Sequence, residues 1–73
     1  MDWRSHVTAD PAILVGKPVL RGTRLSVEFV LELIAAGWGF DEMVAIYPGL
    51  TVEGIRACVA YARDVVADSR PGL

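Results

Sequence analysis

The basic residues of this chain are the ones whose spacing most clearly suggests a chemistry. That chemistry is the binding of anions. Lys17, Arg21 and Arg24 fall within one short segment that is punctuated by Gly16 and Gly22. Two interpretations stand side by side. The three cations either contact something anionic or keep an exposed strand edge from pairing with other chains.

A second basic pair, Arg56 and Arg63, lies seven residues apart in a segment with helical periodicity. That spacing brings the two arginines to within about 20° of each other around a helix. The pair forms either a recognition surface for phosphate or for an acidic partner, or a solvated helix face that pairs loosely with Glu53 and Asp64.

Catalytic and metal-binding side chains are sparse in the sequence. His6 is the one histidine, and no nucleophile, carboxylate pair or metal-ligand spacing accompanies it. Cys58 is the one cysteine, so an internal disulfide is excluded, and its apolar helical neighbours are typical of a small buried side chain. We assign no catalytic residue, no metal ligand and no cofactor, and we predict that the chain is not an enzyme.

Composition favours a chain that associates with a partner. The 73 residues are 53% hydrophobic with a mean hydropathy of +0.42, whereas a domain of this size buries only about 60–65% of its unfolded surface. We therefore expect a homodimer or a higher homo-oligomer. The net charge of −2 argues against a protein that wraps nucleic acid, but residues 1–24 carry four cations against two acids.

The chain shows neither an apolar leader nor the run of about 18 apolar residues that a membrane span requires. With one cysteine, it is expected in the cytoplasm and not in a membrane. No repeat or linker interrupts the sequence, so we predict a single domain over residues 1–73. Residues 7–25 would form a β-hairpin arm and residues 26–68 a helical body, with free ends before Val7 and after Asp68.

The basic segment itself predicts a short hairpin that leads directly into a helix. Its turn is Arg21-Gly22, because glycine adopts positive φ cheaply, and its strand-compatible residues are Val19, Leu20, Thr23 and Leu25. Ser26 is a good N-cap for the helix that follows, and Gly37 is a natural residue for its C-terminal end.

The first predicted helix is apolar around most of its circumference, apart from Glu28 and Glu32. Phe29 and Leu33 spread beyond a single core face, so we place them in a dimer interface, with burial in the chain's own core as the alternative. Trp38 either anchors a partner or tucks under the loop at 47–48.

Two further helices are predicted, over about residues 40–47 and from Thr51 to about Asp68, with Pro48-Gly49 between them. This is the connectivity of a helix-turn-helix unit. Glycine at positions 39 and 54 should weaken both helix starts. The predicted buried face of the last helix comprises Ile55, Val59, Ala62 and Val66.

Several of these features together resemble the bacterial domain-of-unknown-function 433 family, over about Val7 to Val66. The most specific combination is Gly-Lys-Pro followed by Gly-Thr-Arg and then Tyr-Pro. The residues that carry the resemblance are 16–25, Ala36-Gly37, Tyr47-Pro48-Gly49-Leu50-Thr51, Ile55 and Ala60-Tyr61-Ala62.

The resemblance implies a mainly α protein, a three-helix homeodomain-like helix-turn-helix bundle with a short N-terminal β-hairpin. It also implies the antitoxin component of a bacterial type II toxin-antitoxin pair, which neutralises a PIN-like nuclease and binds its own promoter DNA. A stand-alone DNA-binding regulator and a structural dimerisation module are the alternatives. The candidate DNA- or partner-binding residues are Lys17, Arg21, Arg24, Arg56 and Arg63. The sequence lacks a long disordered tail, so inhibition by a folded surface is favoured.

Overall fold

Three helices and one small strand pair make up the fold of residues 1–69, as predicted. The computed structural model describes residues 1–69. In chain order the elements are a 3-10 turn at Trp3–Ser5, strand β1 (Val7–Thr8), a 3-10 turn at Leu14–Gly16, strand β2 (Val19–Leu20), and helices α1 (Val27–Ala35), α2 (Phe40–Ile46) and α3 (Val52–Ser69).

The ends of α1 follow directly from the sequence. The Ser26 hydroxyl accepts a hydrogen bond from the Phe29 amide at 3.0 Å, which satisfies one of the free N–H groups of the first turn. Gly37 leaves the helix with φ of +95°, and the Trp38 amide donates to the Leu33 carbonyl. Both predicted ends are confirmed.

The starts of α2 and α3 each keep one capping hydrogen bond despite their glycines. At α2, the Gly39 amide donates to Glu42 Oε1 at 2.9 Å. At α3, the Gly54 amide donates to the Thr51 hydroxyl at 3.0 Å. Gly54 is also buried, and a Cβ at this position would lie 3.3 Å from a methyl group of Leu20. The missing side chain therefore allows β2 to approach α3 closely.

The strand pair differs from the predicted one. Gly22 does form the turn, with φ of +75°, and the Leu20 amide donates to the Leu25 carbonyl. However, β2 pairs antiparallel with β1, and the return segment adds only an isolated bridge between Val19 and Ser26. The Thr23 hydroxyl donates to the Leu20 carbonyl at 2.8 Å, so the residues after the turn close it and do not extend as a strand.

The buried face of α3 also differs from the prediction. Of the four residues expected inside, Ile55 alone is fully buried, whereas Val59 is 44% and Val66 68% exposed. The face that packs inward is rotated and is formed by Gly54, Ile55, Ala57 and Cys58. Small residues on that face let α3 lie close to β2, which accounts for the rotation.

The three predicted interface residues are buried to different degrees within the chain itself. Leu33 is buried, whereas Phe29 and Trp38 are partly buried. Leu33 is 8% exposed and belongs to the chain's own core. The Phe29 ring packs edge-on against Tyr47 with centroids 5.2 Å apart, and Trp38 lies 6.0 Å from the same ring. For Leu33 the alternative, burial in the chain's own core, is the one observed, because little of its side chain is left for a partner to cover.

The residues before Val7 are docked on the body and not free, contrary to expectation. Trp3 Nε1 donates to Asp64 Oδ2 at 2.7 Å, and the Trp3 ring meets Tyr61 edge-on with centroids 4.8 Å apart. An apolar ring with one polar group suits this half-buried position. The other predicted free end falls largely on residues 70–73, which lie outside the described residues.

Candidate functional site

The five candidate cations lie on two separate surfaces. Gly54 of α3 faces Leu20 of β2, which fixes the side of the helix that touches the hairpin segment. At 100° per residue, Arg56 and Arg63 are about 160–180° around the helix from Gly54. The α3 arginines therefore point away from Lys17, Arg21 and Arg24, and the structure does not unite the five into one patch.

On the hairpin surface, two of the three cations have partners. Lys17 Nζ lies 3.1 Å from Glu28 Oε1, and Arg21 Nη2 donates to the Arg4 carbonyl at 3.3 Å. Arg24 is exposed and has no hydrogen bond or ion pair among residues 1–69. Arg24 is thus the hairpin cation most available to an anionic partner.

The hairpin turn rests on the turn between α2 and α3. Gly49 has φ of +89°, and a Cβ there would lie 3.2 Å from the methyl group of Thr23. Arg24, the next residue, is consequently held beside the helix-turn-helix turn. Packing of Thr23 thus positions the backbone of Arg24, whereas the exposed Arg24 side chain makes no ion pair within residues 1–69.

On the opposite side, the solvent face of α3 carries a regular series of valines and arginines. Its members are separated by four, three, four and three residues, so they follow one line along the helix, which we call the outer stripe. The outer stripe consists of Val52, Arg56, Val59, Arg63 and Val66. It spans about 21 Å at 1.5 Å per residue.

The valines of the outer stripe were missed by sequence reasoning. Val52, Val59 and Val66 are 38%, 44% and 68% exposed. Almost every position of α3 other than 53, 56, 63 and 64 is small or apolar as far as residue 67, so periodicity alone does not separate the inner face from the outer one. The signal that was present is the repeat itself, a valine at every seventh position.

The N-terminal segment packs against α3 beside the C-terminal half of the outer stripe, through Trp3. Asp64 accepts hydrogen bonds from Trp3 Nε1 and from Arg63 Nε and Nη2, the latter at 3.2 and 2.9 Å. The bonds from the Trp3 indole and the Arg63 guanidinium lower the pKa of Asp64 below its usual value. The Arg4 guanidinium covers the Trp3 ring at 4.6 Å from its centroid.

Charge along the outer stripe is positive and unevenly compensated. Arg63 forms an ion pair with Asp64, whereas Arg56 is exposed and makes no ion pair within residues 1–69. The acids of α3 lie off the stripe, at about 100–160° around the helix from Val52. These acids are Glu53, Asp64 and Asp68.

The Cys58 thiol and the potential metal-binding side chains do not form a second candidate site among residues 1–69. Cys58 is fully buried, and burial raises the pKa of its thiol to about 11, so the thiolate that reacts is scarce at neutral pH. Among residues 1–69, no three side chains of the metal-binding types come together. Within the same part of the chain, none of the helices has the length and apolar character to cross a membrane.

Comparison with known proteins identifies relatives along most of the chain. The profile of the family described as "Protein of unknown function (DUF433)" matches residues 7–62. The uncharacterized protein y4eO of Sinorhizobium fredii is 44% identical over 59 residues, which are 81% of this chain and 27% of that protein. The chain thus spans about a quarter of this curated relative.

A solved structure shares the fold. The crystal structure of a DUF433 member protein from Anabaena variabilis superimposes with a TM-score of 0.76 at 27% identity, over 85% of this chain and 61% of that one. The match to the family profile includes the hairpin segment, Arg56 and Val59, but not Trp3, Asp64 or Val66.

Proposed function

Since the chain belongs to the DUF433 family, whose profile covers residues 7–62, we propose that it works by binding a partner protein, as the antitoxin component of a bacterial type II toxin-antitoxin pair. The partner would be a PIN-like nuclease. The protein would act in the cytoplasm as a homodimer or a higher homo-oligomer. It would inhibit the nuclease by covering it and would catalyse no reaction itself.

The observation that carries the proposal is the outer stripe of α3. Val52, Val59 and Val66 leave apolar surface in water along four turns of one helix, and full burial of a valine is worth about 1.5–3 kcal/mol. Valine is also a poorer helix former than alanine, so its repeated use at exposed helix positions has no benefit for folding alone. A protein partner that covers the stripe accounts for both facts.

An acid on α2 is a candidate for the approach to a metal-dependent nuclease site. Three acids could approach the positive charge of such a site, namely Asp41, Glu42 and Asp64. Asp64 is engaged by Trp3 and Arg63, and Glu42 accepts from the Gly39 amide. Asp41 is exposed, and its carboxylate has no ion pair or hydrogen bond among residues 1–69, so we favour it.

Binding of the protein's own promoter is the second candidate function, and the helix-turn-helix connectivity favours it. In such units the second helix enters the major groove with its exposed face, which here is the outer stripe. Arg56 and Arg63 would contact phosphates, whereas the valines would contribute no charge. The isolated protein should then lose affinity for a palindromic operator as salt rises, and replacing both arginines with alanine should flatten that dependence.

Co-expression tests the proposal. The chain is produced together with the product of the adjacent open reading frame, growth is scored, and the complex is purified through a tag on the neighbour. We expect a toxic neighbour that is rescued and retained by this chain. A harmless neighbour, or a toxic one that is neither rescued nor bound, would exclude neutralisation and leave operator binding by the free protein as the function to pursue.

A further inference from the structure

We propose that the outer stripe is a docking site for an amphipathic helix of a partner protein that carries acidic side chains beside its apolar ones. This inference deepens the proposed function and rests on its premise that the chain binds a protein. The stripe is defined above by Val52, Arg56, Val59, Arg63 and Val66, and each step of the argument concerns their spacing, exposure or charge.

The spacing of the valines fits a helix. Side chains that repeat every seven residues stay on one side of a helix pair, which is the spacing of a helix–helix seam. Val52, Val59 and Val66 have this repeat and are all exposed. About four turns of a partner helix would be needed to cover the 21 Å from the first valine to the last.

The charge of the stripe disfavours a second copy of this chain as the occupant. Parallel pairing would bring Arg56 against the Arg56 of the second copy. Antiparallel pairing centred on Val59 would bring Arg56 beside Arg63 of the copy. Glu53 and Asp68 lie off the stripe, and Asp64 is already engaged by Trp3 and Arg63. The stripe of a second copy therefore offers Arg56 no free acid, and like charges in contact oppose association.

An acidic partner satisfies the same arginines. Arg56 has no ion pair among residues 1–69 and is the first site for an incoming carboxylate. Arg63 is already oriented, because Nε and Nη2 both donate to Asp64 Oδ1, and Asp64 is itself fixed by the Trp3 indole. The N-terminal segment thus keeps the last two turns of the stripe in place for docking.

Two synthetic helical peptides of about four turns test the chemistry of the occupant. Both have leucine at the seam positions. One has glutamate at the flanking positions and the other has lysine there. Fluorescence anisotropy of each labelled peptide, titrated with the full chain, should show the glutamate peptide binding about ten-fold more tightly or better, equivalent to about 1.4 kcal/mol.

Matched variants locate the binding site. Val59→Asp and Arg56→Glu should each weaken the glutamate peptide about ten-fold, and Arg56→Glu should improve binding of the lysine peptide. Ile46→Asp and Val44→Asp on α2, at residues that are 58% and 37% exposed, make the same apolar-to-acidic change elsewhere and should leave affinity within about two-fold. Circular dichroism and thermal melting confirm that all four variants fold.

Several results would overturn the inference. Equal binding of the two peptides, or equal losses in the controls, would remove the acidic helix as occupant. Self-association in sedimentation that Val59→Asp abolishes would assign the stripe to a second copy. Duplex DNA binding that Arg56→Glu abolishes, without peptide binding, would assign it to nucleic acid. The peptide assay does not involve the nuclease, so it is independent of the co-expression test. Peptide binding without rescue in co-expression would refute only the antitoxin function. Rescue without peptide binding would refute only the docking site.

Discussion

The contact between the hairpin turn and the helix-turn-helix turn yields a prediction whose magnitude can be worked out. Gly49 has φ of +89°, and an added Cβ would meet the Thr23 methyl group at 3.2 Å. In Gly49→Ala, left-handed strain costs roughly 1–2 kcal/mol and is partly offset by a loss of unfolded-state entropy of about 0.4–1 kcal/mol. Crowding against Thr23 adds about 1 kcal/mol, so we expect a loss of about 2 kcal/mol.

The chain supplies a matched control at Gly37, which has φ of +95°. Apart from its two chain neighbours, nothing among residues 1–69 lies within 4 Å of a Cβ added there. Gly37→Ala therefore has the strain without the crowding and should cost about 1 kcal/mol. Thermal unfolding followed by circular dichroism measures both, since 1 kcal/mol corresponds to about 4–8 °C in a domain of this size. Gly49→Ala should lower the melting temperature about twice as far.

A double-mutant cycle assigns the difference to one contact. Thr23→Ser removes the crowding methyl group but keeps the hydroxyl that donates to the Leu20 carbonyl and accepts from the Leu25 amide. In that background Gly49→Ala should cost about 1 kcal/mol less, while Gly37→Ala is unchanged. Equal costs at the two glycines, or a Gly49 cost that does not depend on Thr23, would refute the view that the hairpin segment is packed onto the helix-turn-helix turn.

Three further predictions concern single side chains. Because the bonds from Trp3 and Arg63 lower the pKa of Asp64, its contribution to stability is present at neutral pH and is lost as pH falls below about 4; denaturant titrations should show the advantage over Asp64→Asn shrinking only in that acid range. Cys58 should react with a thiol reagent at pH 8 only after denaturant is added, because it is buried and burial raises its pKa to about 11, whereas rapid labelling of the native protein would contradict the packing of α3. Met43→Ala should lower the free energy of unfolding by about 2–5 kcal/mol in urea titrations, since Met43 is fully buried.

Local signals in the sequence were sufficient for the helix ends. Ser26 and Thr51 each cap a helix through a bond to an amide three residues ahead, and Gly37 and Gly49 take the positive φ that their positions require. Such interactions join residues that are close in the chain. Their geometry is therefore determined by residue type and spacing alone.

Long-range contacts were not accessible in the same way. The bond from Trp3 to Asp64 joins residues 61 positions apart, and the pairing of Val7 with Leu20 depends on where the chain returns. On α3 the apolar residues surround most of the helix, so only the position of β2 against Gly54 decides that Ala57 is inside and Val59 outside. The docking surface was hidden for the same reason.

Quantitative binding of the neighbouring gene's product tests the central claim, that the chain binds a protein partner through the outer stripe of α3. Purified wild type, Val59→Asp and Ile46→Asp are compared by titration calorimetry against that product. The claim predicts that Val59→Asp alone weakens binding, by about ten-fold or more. If all three proteins bind equally, or if Ile46→Asp is the variant that fails, the partner occupies another surface and the claim is wrong.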